Sequence, residues 1–379
     1  MKILILGADG YLGWSMAANL FSTSHDLILV DNYSKRRHMK ILKRYPLVET
    51  PLLENRIKGI KRKGKTKFHQ IDCTKYEDIN KIIKKYLPDV LIHFAELPSA
   101  PFSMMNIESS WETLRNNLHS TFNIIHSLKD TSPKTHLIKL GTMGEYGTPN
   151  IDIEEGWLKI NHKKRSDKFL YPRQGSSLYH TSKIMDTDLI WFYTRMYGLR
   201  CTDLMQGPVY GVYPNKKQDN DTVPLFTYDD IFGTVLNRFI IQAIAHEPLT
   251  VYGSGSQIRG YINILDSIEC IKISMNNKPK EGELKIYNQF TEQFSVLDLA
   301  KLVKKSLKKI NIDVLIKKVK NPRVEKEKHY YNAKHSNLKK LGLKANKLNE
   351  KMIIQIANYC INYKDNIKIN TIKPKVKWR

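Results

Sequence analysis

Tyr179-His180-Thr181-Ser182-Lys183 sets a tyrosine and a lysine four positions apart, so a helix through them carries the phenol and the ammonium on one face. A phenol with a pKa of about 10 is almost wholly protonated near neutrality and acts as a base only with help. A neighbouring ammonium favours the phenolate, and each tenfold gain in the ionised form corresponds to about 1.4 kcal/mol. Such a pair suits proton removal from a hydroxyl group during oxidation of its carbon. The same spacing also occurs on ordinary helices, so its meaning depends on what else the chain supplies.

It supplies a glycine loop. Gly7, Gly10 and Gly13 follow the apolar run Ile3–Leu6 and precede a helix-like segment. A dinucleotide fold needs glycines there because the turn is tight, the backbone approaches a pyrophosphate, and the helix packs closely on the strand. The phosphates then meet the positive end of that helix. Asp31 lies 24 residues after Gly7, at the end of a second apolar run, where a carboxylate accepts both ribose hydroxyls. An acid at this point selects NAD over NADP, although Arg36 and Arg37 stand close by. Asp72 closes the third run, placed either to meet the adenine or to cap its strand.

These residues need a common edge. Apolar runs at Ile3–Leu6, Leu27–Val30, Phe68–Ile71, Val90–Phe94, His136–Leu140 and Cys201–Leu204 are separated by helix-length segments. That rhythm predicts repeated βαβ units and a Rossmann-type doubly wound parallel sheet in an α/β protein. The glycine loop, Asp31, Asp72, Glu96, Thr142 and Gln206 each end or follow a run. In such a sheet those positions converge at the carboxyl ends of the strands, where ligands bind. Thr142 is thereby placed to hydrogen-bond the hydroxyl being oxidised.

After about residue 207 the rhythm breaks. We expect an NAD-binding domain over 1–205, with segments around 233–275 returning to it. Residues 206–379 should form mainly a smaller, interleaved substrate-binding domain that closes over the cleft, and a basic tail. The polar stretch Asn150 to Arg173 reads equally as a lid or as a surface excursion.

Hydrophobic residues make up 41% of 379, enough for a sizeable core. The formal charge of +25 suits anionic ligands or a nucleic-acid partner. Yet lysines such as Lys61, Lys63 and Lys65 are not interleaved with the aromatics that a base-stacking surface needs, so no nucleic acid is expected. Cys73, Cys201, Cys270 and Cys360 are far apart, which indicates neither a zinc site nor a disulfide scaffold. No apolar stretch approaches the ~18 residues of a spanning helix. Cytoplasmic residence, without membrane insertion, is the expectation.

Longer stretches carry a specific resemblance. LGTMGEYGTPNIDIEEG over 140–156, GPVYG over 207–211, FGTVLNR over 232–238, NQFTEQFS over 288–295, NPRVE over 321–325 and HYYN over 329–332 resemble the UDP-sulfoquinovose synthases. So does the ending KPKVKWR, particularly the archaeal form. These are extended short-chain dehydrogenase/reductases of the NAD-dependent epimerase/dehydratase type. The resemblance implies NAD-dependent oxidation of UDP-glucose at C4, formation of a 4-keto-5,6-ene, addition of sulfite at C6 and re-reduction of C4. It implies Thr142, Tyr179 and Lys183 as the oxidising set, with an acid/base pair near C5 and C6 among Met143, Glu145 and His180. Glu145 is expected to take the C5 proton, with His180 as its rival and Met143 shaping the pocket.

The resemblance further implies cofactor contacts from Asp9, Tyr11, Leu12, Asn32, Arg36, Phe94, Ala95, Glu96, Asn116 and Val209, beside the glycines, Asp31 and Asp72. Substrate contacts would come from Gln206, Thr234, Asn237, Arg259, Arg323 and Glu325. Arg259 and Arg323 suit the diphosphate, which guanidinium binds through two hydrogen bonds. UDP-glucose, sulfite or a sulfite-donating protein, and a second copy in a homodimer are the implied partners. The chain departs from the family at Leu97-Pro98, where Gln-Arg is usual, and that puts sulfite or sugar handling in question. A UDP-glucose epimerase or dehydratase of the same fold, and a non-catalytic NAD-binding regulatory protein, are the alternatives.

Overall fold

The computed structural model describes residues 1–213, 223–323, 330–373 and 375–376. From the amino terminus come β1 (Lys2–Leu6), α1 (Tyr11–Leu20), β2 (Asp26–Asp31), α2 (Ser34–Ile41), α3 (Leu53–Gly59), β3 (Thr66–Gln70), α4 (Tyr76–Tyr86) and β4 (Val90–His93). Next are α5 (Ala100–Ser103), α6 (Ile107–Thr131), β5 (His136–Thr142), β6 (Trp157–His162), β7 (Arg165–Leu170), α7 (Leu178–Tyr197) and β8 (Arg200–Gln206). The remainder runs β9 (Val209–Tyr210), α8 (Val235–Ile244), β10 (Leu249–Tyr252), β11 (Ile258–Asn263), α9 (Ile264–Asn276), β12 (Leu284–Gln289), β13 (Glu292–Ser295), α10 (Val296–Lys308), β14 (Ile316–Val319), α11 (Asn337–Lys340) and α12 (Glu350–Ile361).

All six apolar runs are strands of one 7-stranded parallel sheet in the order β12-β8-β5-β4-β1-β2-β3. Its order reverses beside β1, which puts the crevice above the glycine loop. Alternation along β1 shows why the runs are apolar on both faces. Ile3 and Ile5 join one core with Trp14 of α1, while Leu4 and Leu6 join the opposite core with Ile79 and Ile83 of α4. Helices thus cover both faces, as a parallel sheet requires.

The helices that bear the site are capped by local chemistry. In α6, Asn106 Oδ1 accepts from Ser109 N while Ser109 Oγ accepts from Asn106 N. In α7, Ser177 Oγ accepts from His180 N, which fixes the first turn two residues before Tyr179.

A third core, from Phe226, Phe239, Val251, Val303 and Ala357, unites α8, β10, α10 and α12. Small sheets β10-β14 and β13-β11-β9 lie in the same half of the chain. The return to the main sheet runs past the expected 233–275. Helix α9 packs on α1, and the seventh strand, β12, begins only at Leu284. Residues 157–170 form the antiparallel hairpin β6-β7, turned by Lys163 and Lys164 at φ 45° and 66°. None of residues 150–173 lines the cavity; the hairpin is largely exposed, while Ile153 and Tyr171 beside it are buried in the core.

Candidate active site

A cavity of about 690 Å³ opens along the carboxyl ends of the parallel strands and is roofed by the second half of the chain. Its floor begins at the glycine loop. Gly7 has φ +79°, and a Cβ there would lie 2.6 Å from the Phe94 carbonyl carbon; one on Gly13 would lie 2.0 Å from the Gly7 oxygen. Both contacts are with backbone, so no side chain fits. Gly10 instead faces the cavity, as the N-cap of α1 without a side-chain cap. The first N–H groups of α1 therefore lack helical acceptors, and an anionic diphosphate satisfies them.

Asp31 lines the same wall. Its carboxylate accepts from Asp9 N at 2.8 Å and Tyr33 N at 2.7 Å. Burial, and then the neighbouring Asp9, push its pKa up to about 6. Ribose hydroxyls offer this carboxylate further donors.

Of the expected cofactor contacts, Asp9 and Arg36 do not line the cavity. Arg36 Nε and Nη2 bond Asp9 at 2.7 and 2.9 Å, and Arg36 also donates to the carbonyls of Thr50 and Pro51. Arg56 closes on the same carboxylate. The guanidinium that clouded the choice of NAD is thus committed to bracing the loop. Arg37 lies outside, bonded to the Asn32 carbonyl. Asp72 Oδ1 caps its own turn, accepting from Thr74 N and Oγ1, while the residue still borders the cavity. Tyr11, Leu12, Asn32, Phe94, Ala95, Glu96, Asn116 and Val209 also line it.

At the centre, β5 delivers Thr142 and α7 delivers Tyr179, His180 and Lys183. A hydrogen bond from Thr142 lowers the Tyr179 pKa, but burial outweighs it and the phenol stays above its ordinary value. Burial brings Lys183 down to about 8. Its ammonium contacts Glu96, which also accepts from Thr121 Oγ1 at 3.2 Å. Phenol, hydroxyl and ammonium thus line one cavity.

His180 and Glu145 part company. His180 lines the cavity, with Nδ1 3.1 Å from Ser176 Oγ. Burial, reinforced by Arg323 and Arg259, holds its imidazole down at about 3, so the ring is neutral near pH 7. Glu145 is fully buried and absent from the cavity wall. Its carboxylate accepts from Thr142 N and lies 3.5 Å from Lys139 Nζ, behind the strand. Its sequence position, three residues past Thr142, turned it inward through the short 3₁₀ turn Met143–Glu145. Met143 does border the cavity.

Gln206, Thr234, Asn237, Arg259 and Arg323 line the roof and far wall, whereas Glu325 falls outside the described residues. Gln206 Nε2 donates to Ser267 Oγ at 2.7 Å, and Asn237 Oδ1 accepts from Gly211 N at 3.0 Å. Sequence reasoning missed Arg238 and Lys35. Arg238 is buried with its guanidinium 5.4 Å from the centroid of Tyr252, and both line the cavity. Its place in FGTVLNR, next to Asn237, was the available signal. Lys35 lies 3.8 Å from the centre of the Phe232 ring. At the departure from the family pattern, Leu97 is buried against Phe102 and Ile231, and Pro98 is exposed on the cavity wall. Among the described residues no group of three or more His, Cys, Asp or Glu side chains is arranged to hold a metal.

The model of the NAD dependent epimerase/dehydratase family matches residues 3–288. The chain belongs to this family. Within it the likeness to UDP-sulfoquinovose synthases runs the full length, as the motifs implied. The chloroplastic enzyme of Spinacia oleracea is 43% identical over 383 residues, covering 100% of this chain and 79% of that protein. The enzyme of Sulfolobus acidocaldarius is 39% identical over 385 residues, covering 100% and 98%. Solved epimerases share the fold. A UDP-glucuronic acid 4-epimerase from Bacillus cereus, in complex with UDP-glucuronic acid and NAD, superposes with TM-score 0.69 at 19% identity, over 96% of this chain and 99% of its own. A UDP-glucose 4-epimerase from Bifidobacterium longum, with NAD+ and UDP, gives 0.70 at 20%, over 96% and 98%. An NAD-dependent family member with the glycine loop, Asp31 and the phenol–ammonium pair facing one cavity has the parts of a sugar-oxidising site.

Proposed function

We propose that the chain converts UDP-glucose and sulfite to UDP-sulfoquinovose and water. The observation that carries this is full-length identity of 43% and 39% to two synthases, joined to a cavity holding Thr142, Tyr179, Lys183 and His180 together. The glycine loop, Asp31 and Lys183 would hold NAD, which would supply a reversible hydride acceptor for C4.

The chain's own residues handle the protons. Tyr179, as phenolate, takes the O4 proton while Thr142 hydrogen-bonds the same oxygen, and Lys183 stabilises the phenolate charge. The C4 ketone then acidifies C5. His180, neutral at working pH, takes the C5 proton and as imidazolium protonates the departing 6-hydroxyl, leaving the 5,6-ene. Bisulfite gives its proton to His180 and adds at C6 through sulfur, the imidazolium returns that proton to C5, and Tyr179 returns its proton to O4. No net oxidation occurs.

Arg259 and Arg323 hold the diphosphate, with Gln206, Thr234 and Asn237 toward the sugar. The net charge of +25 favours encounter with all three anions. A homodimer is part of the reading, supported by exposed apolar residues on adjoining helices: Ile107, Trp111 and Phe122 on α6, Met185, Phe192 and Met196 on α7. No helix among the described residues is long and apolar enough to cross a membrane, and we place the enzyme in the cytoplasm.

Incubation with NAD, UDP-glucose and radiolabelled sulfite tests the assignment. Label in the nucleotide-sugar is the expected result. A 4-epimer or a 4-keto-6-deoxy sugar without sulfur would identify an epimerase or dehydratase instead.

A further inference from the structure

Behind the cavity floor, β5 and β8 carry charges where a parallel strand normally carries apolar side chains. Lys139 and Asp203 face each other in register, and both are fully buried. Lys139 Nζ donates to Thr187 Oγ1 at 2.8 Å, to the Lys183 carbonyl at 3.1 Å and to Asp203 Oδ2 at 3.3 Å. Thr187 Oγ1 lies 2.6 Å from Asp203 Oδ2, 3.1 Å from Glu145 Oε2 and 3.2 Å from the Lys183 carbonyl, so its hydroxyl joins both carboxylates to α7. Glu145 Oε1 in turn accepts from Thr142 N at 3.2 Å. Unbroken contacts therefore run from the backbone of Lys183, on α7, to the backbone of Thr142, at the end of β5.

Stability is a poor reason for such a network, because well-packed apolar residues usually do as well as a buried ion pair. Position is a better one. Gly141 leaves room for it: a Cβ there would lie 2.4 Å from Asp203 Oδ1. Burial raises Glu145 against the pull of Lys139, while the nearby carboxylates keep the buried Lys139 ammonium charged. Arg173 adds a second cation 3.6 Å from Glu145 Oε2.

We propose that Lys139, Asp203, Thr187 and Glu145 are positioning residues, a clamp that fixes Thr142 relative to the helix carrying Tyr179 and Lys183. The inference rests on the reading that those three residues act at the sugar C4. Holding the Thr142 hydroxyl against the phenol keeps a near-attack geometry in which a displacement of ~1 Å costs on the order of 100-fold in rate.

Two variants test it, Thr187→Val and the near-isosteric Glu145→Gln, each measured by amide hydrogen exchange and by turnover of UDP-glucose with sulfite. The clamp predicts faster exchange across residues 142–146 in both, and kcat lower by on the order of 10- to 100-fold with KM for UDP-glucose unchanged. Thr187→Ser, which keeps the hydroxyl, should restore both. Glu145 also raises the Tyr179 pKa, so Glu145→Gln moves the rising limb of the pH–kcat profile to lower pH. A lower plateau on that moved limb supports the clamp; an undiminished plateau makes Glu145 an electrostatic neighbour only and overturns it. Unchanged exchange in both variants overturns it equally, and that arm needs no substrate. Absence of wild-type turnover would count against UDP-glucose and sulfite, leaving the exchange result to decide the clamp.

Discussion

The His180 imidazole fills the space in which a side chain at residue 144 would sit: a Cβ on Gly144 would lie 2.3 Å from His180 Nε2. Glycine at 144 and histidine at 180 are therefore one arrangement, delivering a neutral imidazole to the cavity from α7 while the turn after β5 makes room. Gly144→Ala should lower kcat by about 100-fold through displacement of the ring. His180→Gln should lower it by on the order of 10²- to 10⁴-fold. Steady-state kinetics check both, and near wild-type turnover for His180→Gln would remove the imidazole from the chemistry.

Tyr179→Phe removes the proton acceptor for O4 without changing the shape of the wall. We predict a loss in kcat of ~10³-fold or more, with UDP-glucose and NAD binding retained in calorimetry. Because burial holds the phenol above its ordinary value, wild-type turnover should rise with pH through the neutral range.

Asp31 links cofactor affinity to pH. Its carboxyl, raised to about 6 by burial and by Asp9, loses its charge as pH falls through that value, and with it the capacity to accept both ribose hydroxyls. NAD should bind more weakly at pH 5 than at pH 7.5, and Asp31→Asn should bind weakly at both. Titration calorimetry at the two pH values decides the point.

His136 gives a stability prediction remote from the chemistry. It is buried, with Nε2 2.8 Å from Thr202 Oγ1, and burial followed by Lys278 and Lys285 holds it down at about 3. Its folded pKa lies below the ordinary value of about 6.5, so the unfolded chain takes up the proton first. The stability it contributes is present above pH ~6.5 and is lost as pH falls toward 3, at about 1.4 kcal/mol for each pH unit. Between pH 7.5 and 5.5, His136→Gln should lose roughly 1.4 kcal/mol less than wild type in urea unfolding.

Much of the fold and part of the site were legible in the sequence. Apolar runs marked the strands because a sheet buried on both faces tolerates little else, and the glycines, Asp31 and the Tyr179–Lys183 pair were marked by spacing alone. That Glu145, Asp9 and Arg36 lie off the cavity wall was not legible, because sequence places a residue on a turn but does not give the direction of its side chain. Glu145 lay three positions past Thr142 and turned behind the strand; Asp9 and Arg36 turned to each other. A signal for the buried network was present in the odd charges of HLIKL and CTDLM, since a charge inside a buried strand needs a partner. Lys35 had no comparable mark, being one basic residue in a basic helix.

Leu97-Pro98 bears on sulfite. Pro98 borders the cavity where the family usually carries arginine, so Pro98→Arg adds a cation to that wall. The KM for sulfite should fall in this variant while the NAD affinity holds, as paired kinetics and calorimetry would show.

In the proposed reaction a borrowed electron pair at C4 lets sulfur enter at C6. Mass spectrometry of the nucleotide-sugar formed from UDP-glucose and sulfite in the presence of NAD tests it most directly. A product heavier than UDP-glucose by one SO₂, formed by wild type and not by Tyr179→Phe, is the expected result. A product of unchanged mass, or one lighter by water, would contradict it.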